Sequence, residues 1–213
     1  RDRLRSRGLG DVYKRQEIYL IKKNYDKAEI VAQNYLSAYP NNEYTAEMYR
    51  VLGDADYHFG KYHEAMGAFE KYLANNKEEA PRRDALYMLG LSYYHSGVYT
   101  KAANTLGEVA TGNDALSQNA YLHMGLSYLQ MGDKNKARMA FEQASASNAN
   151  MQIKEQAAYN YALCIHETSY SAFGESVTVF EKFLNEFPNS QYVDKVSSYL
   201  VEAVSYTHLT LPT

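Results

Sequence analysis

The chain has 213 residues, enough for one domain or two, and 46% of them are hydrophobic, enough to build a core. A mean hydropathy of −0.54 and the lack of any long apolar run exclude a membrane-spanning helix. A single cysteine, Cys164, excludes an internal disulfide and leaves the redox compartment open, while the formal charge is only −3.

The first and last segments stand apart from the rest. Asp11-Val-Tyr-Lys-Arg-Gln16 is what the DNA stretch GATGTGTATAAGAGACAG encodes, the end of a transposon adaptor used in library preparation. Val204-Ser-Tyr-Thr-His-Leu209 reads the reverse complement of that stretch, and the residues from Thr210 to Thr213 continue into the adaptor beyond it. Residues 1–16 and 204–213 are therefore expected to be adaptor-derived tails, foreign to the protein and outside its packed core. Arg1 to Gln16 hold five Arg, one Lys and two Asp, so taking their +4 from the total of −3 leaves −7 for the remainder. A chain of that sign without a Lys/Arg cluster repels a phosphate backbone, and no nucleic-acid partner is expected. With ends of this origin, a missing signal peptide or lipid anchor carries no information.

From Glu17 onward the apolar pattern has the period of helices. Residues 17–40 predict a partial unit, in which Tyr25 to Tyr39 is a helix with Ala28, Ala32 and Tyr35 on one face and Pro40 at its end. Residues 44–75 predict a complete hairpin, with Leu52 and Gly53 in its first helix and Ala65 and Phe69 in its second. Asp56 departs from the pattern, so that either Tyr57 supplies the missing ring or that contact is looser. Pro81 opens the next hairpin, 81–110, where Leu86, Leu89, Gly90 and Tyr93 form one stripe and Ala102, Leu106 and Val109 the facing one. Gly97 between them suits the left-handed position just past a helix end. Asp114 caps the hairpin 115–146, with Tyr121, Met124, Gly125 and Tyr128 opposite Ala137, Phe141 and Ala144. The hairpin 152–187 follows, with Ala162 in place of the glycine, a longer turn at 169–174, then Ser176, Phe180 and Phe183. Residues 190–203 begin one more helix.

The spacing ties these units together. Ala28, Ala65, Ala102 and Ala137 lie 37, 37 and 35 residues apart, and Phe69, Leu106, Phe141 and Phe180 lie 37, 35 and 39 apart. Leu89-Gly90, Tyr93 and Ala102 resemble the tetratricopeptide repeat, whose first helix carries Leu-Gly and then tyrosine and whose second carries an alanine and a later aromatic. Leu106 departs mildly, standing where the family more often has phenylalanine. The resemblance implies an all-α fold, a right-handed solenoid of antiparallel helix pairs continuous over residues 17–203. It also implies a non-catalytic scaffold that binds a protein or peptide partner. The proline endings AYPNNEY and EFPNSQY are similar to those of tetratricopeptide proteins of the bacterial envelope, which implies a periplasmic location; a cytosolic adaptor is the alternative.

Fragments that look chemical lack their partners. His63-Glu-Ala-Met-Gly67 and His166-Glu-Thr-Ser-Tyr170 each begin like a zinc helix but have no second histidine one turn on. Cys164 and His166, two apart on a helix, point to different sides and form no thiolate–imidazole pair. Gly60-Lys61 lacks the rest of a phosphate loop. No catalytic residue, metal site or cofactor is expected, and the chain is not expected to be an enzyme.

In this family the first helices line the concave side, offset by about one residue from the core stripe. The resemblance places Arg50, Asp54 and Tyr57 there in the second hairpin, then Tyr87, Leu91 and Tyr94 in the third. Leu122, Leu126 and Leu129 follow in the fourth, and Tyr159, Leu163 and His166 in the fifth. Each set runs i, i+4, i+7, one helix face. The groove so expected starts polar and turns apolar and tyrosine-edged, which suits an extended or helical apolar segment better than an acidic C-terminal peptide. The alternative is that tight curvature buries these side chains as core. A structural spacer, or a regulatory segment of a larger enzyme, remains open beside the scaffold.

Overall fold

The computed structural model describes residues 18–76, 79–168 and 173–210. Among them are eleven helices and no strand: α1 (18–21), α2 (Tyr25–Ala38), α3 (Thr45–His58), α4 (Tyr62–Asn75), α5 (Glu79–His95), α6 (Tyr99–Val109), α7 (Ala115–Gln130), α8 (Lys134–Ala146), α9 (Met151–Thr168), α10 (Phe173–Glu186) and α11 (Val193–Thr210). The chain divides after Val109 into two compact units. Each is a stack of helix pairs in which consecutive helices pack together: α2 to α6 in the first, α7 to α11 in the second. First helices also touch each other, α3 with α5 and α7 with α9.

Local chemistry sets the ends. Asp114 and Asp133 accept from Ser117 N and Lys136 N at 2.8 and 3.0 Å, the capping contact that satisfies an orphan donor of the first turn. Gly97 has φ +76°, and Gly60 and Gly132 match it at +71° and +75°, so the left-handed turn expected at Gly97 is a feature of three hairpins. One repeat before Gly60 the same place is held by Lys23, with φ +54°. The chain after Pro40 is fixed by Asn42, whose Oδ1 accepts from Tyr35 Oη and Tyr44 N, both at 2.8 Å. Ser190, after Pro188, repeats the device by accepting from Tyr192 N at 3.0 Å.

The alanine ladder is the seam of the fold: Ala28, Ala65, Ala102 and Ala137 are all fully buried. The glycines of the first helices face the large residues of the second. A Cβ on Gly53 would lie 2.9 Å from Phe69, on Gly90 2.7 Å from Leu106, and on Gly125 2.6 Å from Phe141. Each glycine is thus a socket for the side chain that the spacing singled out. In the fifth hairpin Ala162 fills that place and packs with Phe180 in one cluster.

Two expectations change. The helix expected within residues 190–203 runs on to Thr210, because nothing from Val204 to Leu209 interrupts it, although Ala203 is the last buried side chain described. Asp56 is neither replaced by Tyr57 nor loosely held. It is buried, with Lys61 Nζ 3.9 Å from its Oδ1 and that ammonium 2.6 Å from Glu29 Oε1 on α2. The equivalent Tyr93 and Tyr128 instead lie under Lys101 and Lys136. The tail 1–16, residue 17, part of the 169–174 turn and residues 211–213 lie outside the described residues.

Candidate partner-binding faces

In the first unit α3 presents Arg50, Asp54 and Tyr57 beside Tyr87, Leu91 and Tyr94 of α5. Arg50 holds α3's own carboxylates, Nε to Glu47 at 2.9 Å and Nη1 to Asp54 at 3.4 Å. Burial pushes the Asp54 carboxyl up to about 6, against the pull of Arg50. Burial and the nearby Tyr57 push the Tyr87 phenol up to about 12, so it stays a neutral donor and acceptor. Tyr57 stands edge-on to Tyr62 and His95, with centroids 5.4 and 5.9 Å away. Tyr94 meets Tyr99 at 5.8 Å.

In the second unit α7 presents Leu122, Leu126 and Leu129 beside Tyr159, Leu163 and His166 of α9. Tyr159 stacks on Tyr192, just before α11, at 4.0 Å, and His166 lies 5.5 Å from Tyr199 of α11 and 5.4 Å from Phe180. Tyr192 and Tyr199 therefore extend this surface. Their i, i+7 spacing, from the residue before α11 into its second turn, was the signal that could have found them.

Ten of the twelve expected groove residues are half-buried, but Leu91 and Leu122 are 7% and 1% exposed and are corrected to core. Leu122 packs with Ala137, Phe141, Ala144, Ala157 and Cys164. The neighbouring first helix covers that part of the stripe, since α7 touches α9 as α3 touches α5. Packing thus takes these two positions into the core and leaves the other ten half-buried.

Burial, then Glu167, pushes the Cys164 thiol up to about 11, which disfavours the nucleophilic thiolate. No group of three or more His, Cys, Asp or Glu that could hold a metal occurs among the described residues. No described helix is long and apolar enough to cross a membrane.

A sequence profile of the family described as anaphase-promoting complex, cyclosome, subunit 3 matches residues 60–144. The chain is similar in structure to a tetratricopeptide repeat protein from Parabacteroides merdae, at 17% identity and a TM-score of 0.67, over 91% of this chain and 71% of that one. It is similar also to MamA, at 23% identity and a TM-score of 0.64, over 80% of this chain and 92% of that one. A second MamA structure, again 23% identical, has a TM-score of 0.65 over 84% and 93%. No curated protein matches the chain. The fold is a tetratricopeptide-type helical repeat.

Proposed function

We propose that the chain is a non-catalytic interaction scaffold that captures a peptide or protein segment against the inner faces of its first helices. The observation that carries this reading is the row of half-buried Tyr and Leu side chains on adjacent first helices: Tyr57, Tyr87 and Tyr94 in one unit, Leu126, Leu129, Tyr159 and Leu163 in the other. Half-buried aromatic and aliphatic groups gain area when a partner covers them, and tyrosine keeps a polar handle for the partner's backbone. An apolar helix or extended strand fits this lining.

The test uses Tyr94→Glu and Leu126→Glu beside the parent chain, with circular dichroism to verify folding and mass spectrometry to identify proteins captured from lysate. Folded variants that lose the parent's partners support the groove. Folded variants that keep them sink it, and variants that unfold return the two residues to the core.

A further inference from the structure

The turn end of the hairpins carries one contact that recurs along the chain. In the first unit His58, the last residue of α3, stacks on Tyr25, the first of α2, with centroids 3.8 Å apart and planes 17° apart. His58 Nδ1 lies 2.9 Å from the carbonyl oxygen of Asp54, which holds the ring in place. Both partners recur 37 residues later, where His95, the last residue of α5, stacks on Tyr62, the first of α4, at 4.7 Å and 19°. The sequence repeats with them, as Tyr-His-x-Gly-x-Tyr at 57–62 and 94–99. In the second unit the corresponding places belong to Lys134, the first residue of α8, and Glu167, in the last turn of α9. There the contact is an ion pair of 3.0 Å with each side chain 47% exposed.

We propose that this corner is the latch between successive hairpins, and that the two units carry latches of opposite sensitivity: ring stacks that salt does not weaken in the first, an exposed ion pair that salt loosens in the second. Stacked rings are held by dispersion and apolar burial, which counterions do not screen. An exposed pair is held by Coulomb attraction through high dielectric, which they do. Each latch residue adjoins a residue of the inner faces: His58 follows Tyr57, His95 follows Tyr94, and Glu167 follows His166. Ionic strength then tunes how far α8 and α9 part at this end while the stack between α4 and α5 stays fixed; the α2–α3 corner adds to its stack the pair of Lys61 with Glu29 and keeps a salt response of its own. The latch stands on the corner geometry alone, whether or not those faces bind a partner.

Amide hydrogen exchange on the full chain tests this, between about 0.02 M and about 0.5 M sodium chloride, over which the Debye length falls from roughly 20 Å to roughly 4 Å. The last turn of α9 is expected to exchange about two- to fivefold faster at high salt, the range of an exposed ion pair, and the last turn of α5 at an unchanged rate. Lys134→Gln, an exposed change, raises the low-salt rate in α9 to the high-salt one and removes the salt dependence. Lys134→Tyr with Glu167→His transplants the stack and gives a slow rate at both salts. An equal salt response at the ends of α5 and α9, or a salt response that survives Lys134→Gln, overturns the proposal.

Discussion

Gly125 and Gly67 are both helical, yet the same substitution acts on them with opposite sign. A Cβ at Gly125 drives into the Phe141 ring at 2.6 Å, whereas at Gly67 it meets nothing within 4 Å. Gly67→Ala is expected to stabilise by up to about 1 kcal/mol, the helix-propensity difference. Gly125→Ala gains the same propensity but overpacks the core, at a cost of about 1–3 kcal/mol, and is expected to lower the urea midpoint. A Gly125→Ala variant as stable as the parent would show that Phe141 has room to move. Asp56 gives a pH signature. Burial first, then Glu29, pushes its carboxyl up to about 6 against the pull of Lys61. The folded state therefore holds this proton more tightly than the unfolded chain, whose carboxyl titrates near 3.8. The associated stability is fully present below that value and is lost as pH rises through about 6. Asp56→Asn is thus expected to gain on the parent between pH 4 and pH 7 in denaturant titrations, and an equal difference at both pH values would refute the assignment.

At the scale of the helix, the sequence carries most of the fold because the repeat states each contact several times. The alanine ladder, the glycine sockets and the left-handed turn at Gly97 follow from periods of 3.6 and about 37, and each appears where the spacing puts it. The candidate faces were less legible. An i, i+4, i+7 row defines a helix face but not what the neighbouring helix covers, so Leu91 and Leu122 were read as outward although α3·α5 and α7·α9 packing buries them. At Asp56, where a ring from Tyr57 or a looser contact was expected, the reason is similar: its partner Lys61 stands in the turn after α3 and is itself held by Glu29 of α2, a pairing that leaves no local pattern. On α10, Ser176 takes the ladder position, fully buried, and its hydroxyl has no hydrogen-bond partner among the described residues. Ser176→Ala removes an unsatisfied polar group and restores the ladder, so a gain of about 1 kcal/mol is expected in urea unfolding. A loss would mean that the hydroxyl finds a partner in solution.

For the whole chain, the buried side chains run from Ala28 to Ala203 among the described residues. Removing residues 1–16 and 204–213 together is accordingly expected to leave the melting temperature essentially unchanged, even though α11 reaches Thr210. A marked fall would make those segments part of the packed structure. The larger burden lies in the hairpins, where Phe69, Phe141 and Phe180 are fully enclosed. Phe141→Ala is expected to cost about 3–5 kcal/mol, because its glycine socket is left as a cavity with nothing to fill it.

The lone cysteine turns this protein into its own stopwatch. Cys164 is 1% exposed, so a colourless thiol reagent such as a disulfide dye reaches it only when α9 lifts away. Every molecule that develops colour has opened once, with no engineered probe and no second thiol to confuse the trace.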